Sequence, residues 1–113
     1  MTTVSIAKDF SPTPGGRTDA DGPHNGCRFR VKFLDPVVRD EVAHPLSIDL
    51  DGVAGLPGSF CDAAFGELIR GYKLSKDKFD LLFHFAGHDP DFSINKRMID
   101  FNVDRALRDI NQG

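Results

Sequence analysis

The stretch Ile48-Asp-Leu-Asp-Gly-Val-Ala-Gly-Leu-Pro-Gly-Ser-Phe-Cys-Asp-Ala-Ala-Phe-Gly-Glu-Leu-Ile69 passes from strand to helix through one short turn. Leu46, Ile48, Leu50 and Val53 are the apolar residues of a buried strand, and Gly55-Leu-Pro-Gly58 has turn chemistry. Ser59 stands where an N-cap is expected, and Asp62 completes a capping-box-like pattern. In the helix so begun, Phe60, Ala64, Leu68 and Tyr72 share one stripe. Ala63, Ala64 and Gly66 are small enough to bring its backbone close to a sheet, and Gly71 is the expected stop.

Upstream, Val4-Ser-Ile-Ala7 reads as a first strand. From Ser11 to Gly26, Pro12, Pro14, Gly15, Gly16, Gly22, Pro23 and Gly26 exclude regular structure over a length typical of functional or mobile loops. Asn25 or His24 is expected to cap a helix that buries Phe29, Phe33, Leu34, Val37 and Val38. Pro36 makes that helix kink, or restart with Asp35 as its cap. Downstream, Phe79-Asp-Leu-Leu-Phe-His-Phe85 places apolar residues on both faces, as a central strand covered by helices does, and Gly87 ends it. A last helix from about Ile94 sets Ile99, Val103, Ala106, Leu107 and Ile110 in register, with an Asp104–Arg108 pair on its outer side. Alternating strands and helices predict an α/β sandwich: a small, mostly parallel central sheet with packed helices. The expected organisation is one domain over residues 1–113 with a long Gly/Pro-rich loop at 11–26.

Three ordered blocks carry a resemblance. Gly15-Gly16-Arg17, Asp21-Gly22-Pro23-His24-Asn25-Gly26-Cys27-Arg28-Phe29-Arg30, and Ser59-Phe60 with Phe65-Gly66-Glu67-Leu68 are similar to the STAS-like group DUF4325, over about residues 6–72. The chain thereby resembles the anti-sigma-antagonist and sulfate-transporter (STAS) domains. In STAS regulators, the resemblance implies, a serine at the strand-to-helix turn is phosphorylated by a partner kinase and the added charge toggles partner binding. Here, with Val53 set on the valine of the STAS signature, the resemblance puts Pro57 at the usual acidic position, Gly58 at the usual phosphoserine and Ser59 at the second serine. Ser59 is therefore expected either to cap the helix or to replace the missing phosphoacceptor.

The composition narrows the classes. Ten Phe against one Tyr and no Trp point to rings used for packing rather than for ligand cages or base stacking. A net charge of −3 argues against a direct nucleic-acid binder. No apolar run approaches the roughly 18 residues of a membrane span, and no leader precedes Val4, so a cytoplasmic, unexported protein without membrane contact is expected. Cys27 and Cys61 lack pairing logic and are expected to be small buried hydrophobes of a reducing compartment.

Two function classes emerge. The first is a noncatalytic regulatory, protein-interaction module acting at Gly58, Ser59, Phe60 and Asp62. Its partner would be another protein, an ATP-binding kinase or anti-sigma-like regulator as the resemblance implies. The alternative is a small-anion or nucleotide sensor in which Gly15, Gly16, Arg17, Asn25, Gly26 and Arg30 hold the anion at a helix start. Against it, neither phosphate-binding glycine motif is present, and Arg17 or Arg30 can instead pair with Asp19, Asp21 or Asp51. Nucleophilic catalysis is not expected, because Leu56-Pro-Gly-Ser-Phe60 lacks the Gly-x-Ser-x-Gly elbow. His84 and His88, with Asp89 and Asp91, lie too far apart on a strand for a metal site unless Gly87 bends it. No cofactor or metal is expected.

Overall fold

The computed structural model describes residues 2–112; Met1 and Gly113, the two ends of the expected 1–113 domain, lie outside the described residues. Three strands, β1 (Thr2–Ser5), β2 (Leu46–Asp49) and β3 (Phe83–Ala86), form a parallel sheet in the order β1-β2-β3. The register runs Val4–Ile48–Phe85 and Thr2–Leu46–Phe83 across the sheet. Helix α1 is a continuous run of Gly26–Phe29, a wide π-type turn Arg30–Leu34, and Asp35–Val38. Helix α2 is built the same way from Gly58–Cys61, Asp62–Gly66 and Glu67–Tyr72. Helices α3 (Lys76–Leu82) and α4 (Phe92–Gln112) follow. The expected α/β class with a parallel sheet and packed helices is the observed one.

Each crossover is helical, as parallel pairing requires. Val4, Leu46, Ile48 and Phe83 bury one sheet face beneath the helices, with Phe85 half-buried beside them, whereas Thr3, Ser5, Ser47, Asp49, His84 and Ala86 on the other face are half-exposed or exposed. The helices therefore cover one face, not both.

Several expectations shift. The predicted strand over Phe79–Phe85 is a helix followed by a short edge strand, and β2 is the central one. The Ser75 hydroxyl accepts the Lys78 N–H at 3.1 Å, and Lys76 bridges Asp80 at 2.6 Å, so residues 76–82 close as helix. A strand would bury Leu81 alongside Phe79 and Phe83; instead Leu81 is 60% exposed while Phe79, Leu82 and Phe83 are buried at helical spacing. The first strand begins and ends two residues earlier than expected, and Ile6–Phe10 coils into a helical turn whose start is capped by Ser5 accepting the Lys8 N–H.

Asn25, rather than His24, caps α1: its Oδ1 accepts the Arg28 N–H at 2.9 Å. Pro36 neither breaks nor restarts the helix. The widened turn before it, closed by the Asp35 N–H on the Arg30 carbonyl, lets the chain continue through a residue that has no N–H to donate. Gly71 lies inside α2, which ends at Lys73 in the left-handed conformation (φ 54°) and returns buried Leu74 to the core. In α4, Ile99, Val103 and Ala106 are buried as expected, but Asp104 and Arg108 do not meet; the pair formed along this helix is Lys96–Asp100. Cys61 is buried and Cys27 half-buried, both as free thiols. Burial, then the neighbouring Asp62 charge, pushes the Cys61 thiol up to about 12, which makes it unreactive. Among the described residues no helix is long and apolar enough to cross a membrane.

Candidate functional site

The turn between β2 and α2 meets α4. Asn95, buried on α4, accepts the Leu56 N–H at 3.2 Å and so ties the turn to that helix. Pro57, not Ser59, occupies the N-cap position, and α2 begins at Gly58 without a side-chain cap. The reason is backbone: Pro57 is extended at φ −62° and ψ 148°, and its carbonyl takes the Cys61 N–H. Ser59 therefore sits inside the first turn, half-exposed, its hydroxyl without a hydrogen-bond partner among the described residues. The N–H groups of Gly58, Ser59 and Phe60 are likewise unpartnered there. Of the four residues expected to meet a partner, Gly58 and Ser59 reach the surface. Phe60 is fully buried and serves the core.

Asp62 has a different role from the capping box predicted for it. Its carboxylate, mostly buried, accepts from Arg70 at 2.7 Å on one oxygen and from Arg17 on the other. Arg70 also bridges Glu67 and Asp109, so α2, α4 and the long loop are joined at one cluster. Gly66 makes this reachable. A Cβ there would stand 2.5 Å from Asp62 Oδ1 and 3.0 Å from Arg70 Nη2. Burial works against the Asp62 charge, but the hydrogen bonds from Arg70 and Arg17 outweigh it and hold the carboxyl below its ordinary value of 3.8.

A carboxyl depressed in the folded state stabilises above its unfolded pKa, and that stabilisation is lost as pH falls through the folded value. Unfolding free energy is thus expected to be level down to about pH 5 and to fall below the ordinary value of 3.8, with Asp19 and Asp51, also depressed, contributing. Asp62→Asn should cost about 2 kcal/mol near neutrality and flatten the acid limb. Chemical denaturation between pH 2.5 and 7 reads both, and an unchanged limb in the variant would remove Asp62 as a source.

The expected anion loop is spent on itself. Gly26 N–H donates to Gly16, Cys27 N–H to Arg17, Arg28 N–H to the Asn25 side chain and Phe29 N–H to the Asn25 carbonyl. The first four donors of α1 are all taken. Gly16 adopts φ +84°, where a Cβ would collide with Asp21. Asn25 Nδ2 bonds Asp19 and the Gly22 carbonyl, and Arg28 grips Asp19 at 2.6 and 3.0 Å. That pairing, with Asn25 assisting, lowers Asp19 to about 2. Arg30 turns inward to the Ala63 carbonyl and Asp35. Gly15, Gly16, Arg17, Asn25, Gly26 and Arg30 thus brace the loop against α2 and do not converge on open space. Neither guanidinium pairs with Asp19, Asp21 or Asp51 as expected: Arg17 meets Asp62 and Arg30 meets Asp35. Asp19 is held by Arg28, Asp21 accepts the Arg17 backbone N–H rather than its guanidinium, and Asp51 accepts the His88 and Asp89 N–H groups. A cleft of about 840 Å³ opens between the loop residues Thr18, Asp19, Pro23 and His24 and the α1 residues Arg28, Val31 and Lys32. His84 is exposed on β3, and among the described residues no three His, Cys, Asp or Glu side chains gather for a metal.

The Asp62 cluster joins residues 45 positions apart and was legible only in part. The signal was the spacing Asp62, Gly66, Arg70, one helix face with its middle position vacant.

No curated protein and no solved structure matches the chain. One family does match, described as a STAS-like domain of unknown function (DUF4325), over residues 25–92. That segment runs from the Asn25 cap to the first residue of α4; it leaves the Gly15-Gly16-Arg17 block outside and extends beyond the residue-72 limit of the resemblance. Since the match covers more than half of the sequence and holds β2, the Ser59 turn, α2 and β3, the chain belongs to the DUF4325 family of STAS-like domains.

Proposed function

We propose that this domain is a noncatalytic regulatory module that binds another protein at the β2–α2 turn, with Ser59 as its control point. One observation carries the reading. Ser59 lies in the first turn of α2, half-exposed, its hydroxyl uncommitted and the neighbouring N–H groups of Gly58 and Phe60 unpartnered. A phosphate added there would meet free donors and the positive end of the helix, so the fold tolerates the charge while a surface facing it is repelled. The partner is a protein, an ATP-binding kinase or anti-sigma-like regulator by analogy with STAS regulators. The anion-sensor reading has less support, since the donors of its loop are engaged internally.

Tagged native protein, Ser59→Ala and Ser59→Asp are to be recovered from the native cells, with retained proteins identified and intact mass measured. We expect a partner held by native and Ser59→Ala protein to be weakened about tenfold or more in Ser59→Asp. Both variants should unfold within about 0.5 kcal/mol of the native protein, because no cap is lost. Equal retention of every partner by Ser59→Asp would defeat the proposal, and an added phosphate on Ser59 would support it directly.

A further inference from the structure

We infer that the outward stripe of α4, made of Ile94, Met98 and Phe101, is a docking surface for an amphipathic protein segment whose apolar side chains are bordered by carboxylates. The helix buries Asn95, Ile99, Asn102, Val103 and Ala106 on one side. Ile94, Met98 and Phe101 recur at helical spacing along the flank of that buried side; Met98 is half-buried against the core, while Ile94 is 64% and Phe101 59% exposed. Aromatic and aliphatic residues in such a row are costly to leave in water and serve as anchors when covered.

The surrounding shape suits a segment rather than a small molecule. A groove of about 480 Å³ runs along Ala54, Leu56, Pro57, Ile94, Asn95 and Met98. A second hollow of about 480 Å³ continues it over Arg97 and Phe101. The groove starts at the turn that carries Ser59: Asn95 holds Leu56, and the Met98 sulfur lies 3.7 Å from where a Gly58 Cβ would stand.

Charge selects the occupant. The chain is acidic overall, and Arg17, Arg28, Arg30 and Arg70 are all paired with its own carboxylates. Arg97, Arg105 and Arg108, exposed beside the stripe, have no ion-pair partner among the described residues. Between Ile94 and Arg108, Asp100 is taken by Lys96 and Asp104 alone stands exposed. Three uncommitted guanidinium groups around an apolar row complement an acidic, apolar-faced helix. A second copy of the stripe would set arginine against arginine, which disfavours self-pairing.

This inference rests on the interaction reading above and supplies its partner chemistry. The probe is a synthetic amphipathic helical peptide with a leucine row flanked by glutamates, compared with the same peptide carrying lysines instead. Each is titrated into the isotope-labelled full chain and followed by amide shifts. The glutamate peptide should bind at least about tenfold tighter and shift residues 54–58 and 94–105. Phe101→Ala should weaken it about tenfold, and Arg97→Glu with Arg105→Glu should reverse the preference between peptides. Equal binding of the lysine peptide, shifts centred elsewhere, or no binding would overturn the surface, as would sedimentation as a dimer that Phe101→Asp dissociates. The two readings fail separately. Ser59→Asp protein that holds the glutamate peptide undiminished keeps the surface and counts against the switch, whereas loss of a native partner on Ser59→Asp without any peptide binding does the reverse.

Discussion

Phe29→Ala is expected to lower the free energy of unfolding by about 4 kcal/mol, the largest effect of any single truncation in this chain. Phe29 is fully buried on α1. Its ring lies 5.3 Å from Phe10, 5.2 Å from Phe33, 5.7 Å from Phe60 and 6.1 Å from Phe65, centroid to centroid. One side chain thus joins the turn after β1, the rest of α1, and two positions on α2. Rings so interlocked cannot collapse fully onto a gap, since each is held by a different backbone segment. The loss therefore combines the lost transfer energy with a residual cavity. Domains of this size have about 5–15 kcal/mol in total, so the variant should be close to marginal. Urea unfolding should show a large drop in midpoint with an unchanged slope. A loss below about 1.5 kcal/mol would mean that the neighbouring rings close over the space and that the cluster is looser than its geometry implies.

Gly26→Ala is expected to cost about 3 kcal/mol and lower the melting temperature by roughly 10 °C. Helix propensity predicts the opposite, because alanine is favoured over glycine by about 1 kcal/mol within a helix. Contact geometry decides the sign. A Cβ at residue 26 would stand 2.5 Å from the Phe60 carbonyl oxygen, 2.7 Å from the Ala63 Cβ and 2.9 Å from the Ala64 nitrogen. Two of these are backbone atoms and the third is a methyl that cannot rotate away, so α1 and α2 would have to separate. Ala63→Gly in the same chain should return about 1 kcal/mol, a coupling that a double-mutant cycle measures. A neutral or stabilised Gly26→Ala protein would show that the helices do not cross this closely.

Much of the architecture was legible because its causes are local. The Asn25 cap depends on a side chain reaching its own next turn, and β2 on the alternation of Leu46 and Ile48, although the strand ends at Asp49, short of the expected Leu50 and Val53. The stripe Phe60, Ala64, Leu68 likewise needs only helical spacing. The small residues Ala63 and Ala64 signalled a close approach, expected against the sheet, whereas they meet Gly26 of α1, which the sequence marked only as a loop residue. Phe79–Phe85 misled because a short run rich in Phe and Leu satisfies a buried strand and a buried helix alike. There the Ser75 cap and the Lys76–Asp80 bridge tip a near-balance that hydrophobicity leaves open.

The candidate site divides in the same way. The sequence by itself determined that a turn rich in glycine and proline delivers Ser59 to the start of a helix, since turn and helix chemistry act over a few residues. Only the tertiary structure decided that Pro57 takes the cap and leaves Ser59 uncommitted. It also decided that Asp62 is held by Arg17 and Arg70, that the loop donors are consumed internally, and that an apolar row on α4 borders the turn. Ion pairs and grooves join residues far apart in the chain, and their geometry exists only after the core has set the helices in place.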